Sequence, residues 1–214
     1  GFIHSIAVSI FYCAMAILFG LLFGMMCAYA LRRCKFRYKN LVFYLVLAGI
    51  PLSTGSAALL IPNYIYLSSF KMINHLYTLV LMYTAYNLPM AIWVMMGGIE
   101  SIPIEIEEAA SVDGCSRGYI IFKLIPSLNK PAMASAALFI FIGAWNEFNV
   151  ASVMVNSTWL KPVQLSIYHY MGFFGLDWGL LTAATTFAVV PTLVAFCFLA
   201  KYIVSGLTQG AVKG

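Results

Sequence analysis

Residues 6–31 read IAVSIFYCAMAILFGLLFGMMCAYAL, without one Asp, Glu, Lys or Arg, and residues 32–39, RRCKFRYK, follow at once with Arg32, Arg33, Lys35, Arg37 and Lys39. A helix needs roughly 20 apolar residues to cross the hydrocarbon of a bilayer. A basic cluster directly after such a run marks the end held on the cytoplasmic side. Four further stretches have the length and character of spans: Leu41–Ile61, interrupted by Pro51; about Leu76–Met96, with Pro89 inside; about Ala132–Val153, carrying Glu147; and Gly179–Ala200, with Pro191. The expectation is an all-α bundle of about five membrane helices.

Composition agrees. Of 214 residues, 63% are hydrophobic and 9% charged, with a mean hydropathy of +0.92. A soluble domain is nearer half apolar and about a quarter charged, so this chain has too few charges to cover a wetted surface. The net charge of +5 matters through its distribution, and nucleic acid is not an expected partner. Arg117, Lys123 and Lys130 lie between the third and fourth runs, and Lys201 and Lys213 follow the fifth. Together with the first cluster they make ten of the 12 Lys and Arg, leaving Lys71 and Lys161 on the other side. This asymmetry puts those three segments and the C-terminus in the cytoplasm. The first run then enters from outside, which, with a chain starting at Gly1, suggests a preceding N-terminal span. Residues 1–214 read as one transmembrane domain.

Catalytic and metal chemistry find little support. His4, His75 and His169 are far apart, and Cys13, Cys27, Cys34, Cys115 and Cys197 form no C-x-x-C pair, so neither a metal site nor a disulfide framework is expected. No G-x-x-x-x-G-K-[ST] phosphate loop is present. Glu147 and Asp177 have no second carboxylate or base at a useful spacing. A secondary transporter or channel would carry ionisable residues well inside several spans, and only Glu147 qualifies.

Breaks and polar stripes inside the spans are candidates for a translocation path. Pro51-Leu52-Ser53-Thr54-Gly55-Ser56 reads as a hinge or pathway-lining segment, or as an ordinary kink between packed helices. Tyr83 and Asn87 share a face just before Pro89, as do Thr182, Thr185 and Thr192. Either stripe would line a polar path or serve as hydrogen-bond glue between helices. Glu147 lies about 15 residues, or roughly 22 Å, above the start of its run. On a continuous helix it shares a side with Ala136, Gly143 and Ala151, facing the protein interior or reaching the headgroups.

The loop Glu100–Pro126, ESIPIEIEEAASVDGCSRGYIIFKLIP, reads as two short helices meeting at a glycine. Ser101 is the expected N-cap, with Pro103 in the first turn and Glu100, Glu105 and Glu107 near the positive end of the dipole. Asp113-Gly114 ends the first helix, Ser116 caps the second, and Pro126 stops it.

Here the chain resembles a known family. Glu108-Ala109-Ala110, three residues and then Gly114 is similar to the "EAA" loop of ATP-binding-cassette importer permeases. Several features resemble the maltose-type, carbohydrate branch: the extension through Asp113, Gly143-Ala-Trp-Asn146-Glu147-Phe148, Asp177-Trp-Gly179, and the ending Gly206–Gly214. The family's Leu-Pro falls on Pro126-Ser127, so the proline comes one residue early. The resemblance implies a bundle of the type I importer kind, in which Glu108, Ala109, Ala110, Asp113 and Gly114 form a coupling helix docking on a cytoplasmic ATPase. It also implies a non-catalytic subunit in the bacterial inner membrane that binds no cofactor itself. Its partners would be a second permease subunit, two ATPase subunits holding ATP and Mg, an external solute-binding protein, and lipid. Tyr83, Asn87, Asn146, Glu147, Thr182 and Thr185 are the expected path residues. Trp159–Trp178, rich in aromatics, would form an interfacial belt or face the binding protein. The Ser205–Gly214 tail, mobile alone, would contact the ATPase pair. A non-sugar cargo is the alternative.

Overall fold

A computed structural model of the chain describes residues 1–53, 57–168, 171–172, 175–176 and 178–211. Eleven α-helices are formed by these residues: α1 Phe2–Arg33, α2 Lys39–Ser53, α3 Ala57–Ser69, α4 Leu76–Glu100, α5 Ile104–Val112, α6 Arg117–Tyr119, α7 Ile125–Leu128, α8 Lys130–Trp145, α9 Asn149–Met154, α10 Val163–Tyr168 and α11 Trp178–Ala211, with a 3-10 turn at Thr158–Leu160. A π-helical turn, Ile120–Leu124, joins α6 to α7, and Met171–Gly172 pairs antiparallel with Gly175–Leu176. The all-helical membrane architecture expected from the sequence is what the chain adopts.

Helix α1 buries one stripe: Ser5, Ser9, Cys13, Ala16, Gly20, Gly24, Ala28 and Leu31. Spacings of three and four hold a single face, and most of these residues are small. In lipid, small residues allow close helix approach. A Cβ at Gly20 would stand 2.7 Å from Ile140 Cδ1 of α8, and one at Gly24 2.5 Å from Met95 Cε of α4. So α1 lies against both helices.

The centre of the bundle is α4, with Leu79, Tyr83, Ala91, Ile92, Met95 and Ile99 buried along it. Its C-terminal end lies beside the C-terminal end of α1, so the two run parallel, whereas α8 runs antiparallel to both. Gly98 of α4 faces Asn129 and Ala132 at the start of α8, and Gly143 of α8 faces Asn87 of α4. On the far side of α8, Trp145 is 2% exposed and its Nε1 donates to the Ala188 carbonyl of α11 at 3.1 Å. Outward, α11 exposes Phe187, Leu193, Phe196 and Phe198, a surface suited to lipid or to another membrane helix.

The two ends of the bundle are polar. At one end His4 Nε2 meets the Trp159 carbonyl at 3.0 Å, and Tyr12 donates to the Leu160 carbonyl at 3.1 Å. There the Val163 amide donates to Ser9 Oγ at 2.7 Å. The turn between α3 and α4 belongs to the same end. Its Asn74, at φ 63°, accepts from the Asn156 and Ser157 amides at 3.1 and 2.8 Å. Asparagine tolerates this left-handed conformation better than most residues. The opposite end gathers the C-terminal ends of α1 and α4 with α5.

Two expected spans differ from their sequence reading. The second appears as α2 and α3, on either side of residues 54–56, so the hinge expected at Pro51–Ser56 lies partly outside the described residues. The fourth does not run from Ala132 to Val153. Helix α8 ends at Trp145 and α9 begins at Asn149. Asn146 turns its side chain back onto the Ile142 carbonyl at 2.9 Å, and Glu147 Oε1 accepts from the Val150 amide at 3.0 Å. Both groups compete locally with the helix ladder. Glu147 therefore sits in a break and not on one face with Ala136 and Ala151. Helix α11 extends through Ala211, beyond the end at Ala200 expected for the fifth span. Residues 212–214 lie outside the described residues, as do 169–170, 173–174 and 177 of the aromatic segment.

Adjacent glycines test this packing. A Cβ at Gly98 would overlap Asn129 Oδ1 and stand 2.5 Å from Ala132 Cβ, whereas one at Gly97 meets nothing within 4 Å. Overpacking of this kind costs about 1–3 kcal/mol. Gly98→Ala should lower the thermal midpoint of the detergent-solubilised protein by several degrees, and Gly97→Ala should hold or raise it. Equal midpoints would remove the close α4–α8 contact as a source of stability.

Candidate functional site

The segment between α4 and α8 projects from the polar end that carries the basic residues. Regular helix in α4 continues to Glu100, and Ser101 Oγ donates back to the Gly98 carbonyl at 2.7 Å. Ser101 therefore closes α4 and is not the N-cap of the next helix. That position is taken by Pro103, φ −57° and ψ 136°, without a side-chain cap. Glu105 and Glu107 occupy the first turn of α5, where the helix dipole favours negative charge.

Of the nine residues of α5, only Glu107 is buried. Its Oε1 accepts from Arg33 Nε at 2.6 Å and its Oε2 from the Tyr29 hydroxyl at 2.9 Å, both groups on α1. Arg33 Nη2 also donates to the Ile99 and Ile102 carbonyls at 3.2 and 2.6 Å. One guanidinium thus ties the ends of α1 and α4 to α5. Arg32 and Glu100 make a second ion pair nearby, at 2.8 Å, with side chains 33% and 62% exposed.

The outer face of α5 presents Ile104, Ile106, Glu108, Ala109 and Val112, all exposed, with Ala110 half-buried. Its C-terminus is a Schellman motif. The Gly114 amide donates to the Ser111 carbonyl at 3.2 Å and the Cys115 amide to Ala110 at 3.0 Å. Asp113 stands at the C-cap, and Gly114 takes φ +84°, as expected. A side chain resists that conformation by about 1–2 kcal/mol. Ser116 caps α6 by accepting from the Tyr119 amide at 3.2 Å, also as expected.

Pro126 does not end the second loop helix. The chain widens into the π-helical turn Ile120–Leu124 directly before it and continues as α7 to Leu128. A wider turn moves the carbonyl four residues back away from the proline ring. The stop comes at Asn129, 2% exposed, whose Nδ2 donates to the Met95 carbonyl at 3.3 Å. From there the chain bends by 81° into α8.

The expected path residues fall into two groups. Tyr83, Asn87, Asn146 and Glu147 gather where α4 meets α8. Tyr83 is buried, its ring 6.0 Å from that of Tyr12, and its hydroxyl donates to the Glu147 carbonyl at 3.3 Å. Asn87 Nδ2 donates to the Tyr83 carbonyl at 2.8 Å. Thr182 and Thr185 instead lie with Thr186, Val189 and Leu193 along one exposed side of α11. Their hydroxyls bond carbonyls of their own helix, Thr182 to Trp178 at 2.7 Å and Thr185 to Leu181 at 2.8 Å. Among the described residues, no three His, Cys, Asp or Glu side chains come together as a metal site.

Arg33, Tyr29, Glu107 and Asn129 are the site residues that sequence reading passed over. A usable signal existed for Arg33 and Glu107: an acid in a loop expected at the same membrane face as five clustered cations.

The sequence profile described as "Binding-protein-dependent transport system inner membrane component" matches residues 20–209. The sulfoquinovosyl glycerol transport system permease protein SmoH of Agrobacterium fabrum is 32% identical over 196 residues, covering 91% of this chain and 67% of that protein. The trehalose/maltose transport system permease protein MalG of Thermococcus litoralis is 32% identical over 190 residues, covering 87% and 67%. This chain thus spans about two thirds of each. In fold it is similar to a chain of a bacterial ABC transporter that imports the acidic polysaccharide alginate, with a TM-score of 0.78 at 22% identity, covering 94% of this chain and 75% of that one. With nearly its whole length matched, the chain belongs to the binding-protein-dependent transport system inner membrane components, the permease subunits of ABC importers.

Proposed function

We propose that this permease forms half of a translocation path for a carbohydrate delivered by an external solute-binding protein, and that α5 receives the motion of a partner ATPase. The observation that carries the reading is α5 itself. It is a short helix outside the apolar bundle, anchored by one buried ion pair and ended by a glycine in a left-handed turn. Its outer face offers exposed Ile104, Glu108, Ala109 and Val112, the last 87% exposed. A permease without a nucleotide site of its own must take up force through a surface that is rigid, protruding and open to a soluble partner. The small Ala109 lets such a partner pack closely, and Glu108 supplies a charge for it.

In this reading ATP and Mg are bound by two partner ATPase subunits, and a second permease subunit completes the path. The sugar assignment draws on the two relatives above, one named for sulfoquinovosyl glycerol and one for trehalose and maltose. The end bearing Arg32–Lys39, Arg117, Lys123 and Lys130 faces the cytoplasm, as does the C-terminus, and Lys71 and Lys161 face outward.

Orientation is tested by labelling single cysteines with an impermeant reagent, in a background cleared of the five native cysteines. Lys161→Cys should react from outside and Arg117→Cys only after permeabilisation. The reverse pattern would invert the topology.

Coupling is tested by Glu108→Lys and Gly114→Val. Neither alters lipid-facing sequence, so both should insert normally. Copurification of the ATPase subunits, or vesicle uptake of radiolabelled maltose and trehalose at parental ATP hydrolysis, should fall about tenfold or more, the scale on which interface hot spots act. If both variants hold the ATPase and import at the parental rate, α5 is not the coupling element.

A further inference from the structure

The inner side of α5 differs in kind from its outer side. Glu107 and Arg33 are only 10% and 15% exposed as side chains, and their 2.6 Å contact is charge-assisted. Between them the two side chains tie α5 to α1, to the last turn of α4 and to the connection that follows it. Glu107 Oε2 holds Tyr29 of α1, and Arg33 Nη2 holds the last turn of α4 through Ile99 and the connection to α5 through Ile102. Ser111 Oγ donates to the Glu107 carbonyl at 2.9 Å, adding a link within α5. Removing one partner of a buried pair leaves the other charge stranded away from water. Sliding α5 across the bundle end would require that separation in every cycle. The Arg32–Glu100 pair is more open, its side chains 33% and 62% exposed, so its separation costs less.

We propose that Arg33 and Glu107, with Tyr29, are positioning residues that lock α5 to the ends of α1 and α4, so that the three helices move as one body when the ATPase drives the loop. Glu108 and Glu107 then divide the work between them: the outward acid meets the partner and the inward acid passes the displacement to the spans. The proposal rests on α5 being the coupling element, and its test separates the two ideas.

The test uses the full chain copurified with its ATPase subunits in lipid nanodiscs. Native Cys34, exposed just after α1, and Glu105→Cys, an exposed α5 position outside the face assigned to the ATPase, carry spin labels, with Cys13, Cys27, Cys115 and Cys197 replaced. Their separation is read by double electron–electron resonance without nucleotide and with a non-hydrolysable ATP analogue and Mg. In the parent a single distance should persist in both states. Glu107→Gln should broaden it or make it depend on nucleotide, and Arg33→Ala should do the same. Glu100→Gln should behave as the parent. A parental distance that changes with nucleotide overturns the lock, whatever the variants do, and so does a Glu107→Gln distribution identical to the parent's. If the parent retains no ATPase subunit at all, the coupling role of α5 fails first, and the lock falls with it.

Discussion

Lipid gives α4 no reason to prefer α1 and α8 over acyl chains, because all are equally apolar. Its two partners must offer something that lipid cannot, which is closer contact over a longer line. Gly20 and Gly24 on α1, Gly98 on α4 and Gly143 on α8 supply it. Each opens a notch in which a neighbour's side chain, Ile140, Met95, Asn129 or Asn87, already stands. The bundle depends on these notches because many of its large apolar residues, Phe187 and Phe198 among them, face outward and join no helix pair. Dispersion energy gained over such contacts is small per atom pair and large in sum.

Once α4 is seated, its ends decide where polar groups go. At one end, the Trp159 and Leu160 carbonyls are met by His4 and Tyr12 of α1, and the Asn156 and Ser157 amides donate to Asn74. At the other, Arg33 serves carbonyls at the end of α4 while neutralising Glu107. These bonds pair backbone groups at the joins, which is the condition for irregular chain near a membrane. The break at Asn146-Glu147 follows the same rule. Its freed amide at Val150 is taken by Glu147, so a carboxylate inside an apolar run works first as a local cap.

Much of this was legible in residues. An uncharged run followed by five cations announced a membrane helix, and their asymmetry matched the ends that the fold brings together. Asp113-Gly114 and Ser116 read correctly, because capping depends on chemistry within a few residues. Ser101 and Pro126 misled for the same reason. Ser101 is a good cap for any helix, and the sequence did not say that α4 would run on to Glu100. Proline is a good stop, and the sequence did not show a π turn ahead of it. The Arg33–Glu107 pair was beyond local reading, since 74 residues separate its partners. The Tyr83 and Thr182 stripes had the right periodicity for helices, but period alone does not tell which neighbour a face meets.

The 81° bend at Asn129 has a mechanical meaning. Residues 117–128 form one arm of about 18 Å and α8 another of about 24 Å at helical rise. The corner between them is held by a buried amide bonded to α4. Two arms fixed at nearly right angles about one held corner make a bell crank. Turned as a unit, it gives about 1.3 Å of travel at Trp145 for each ångström at Arg117, with the direction changed by the corner angle. Under such a turn, a sideways displacement at the loop end would become a tilt at the opposite end of the bundle, beside Ala188 of α11.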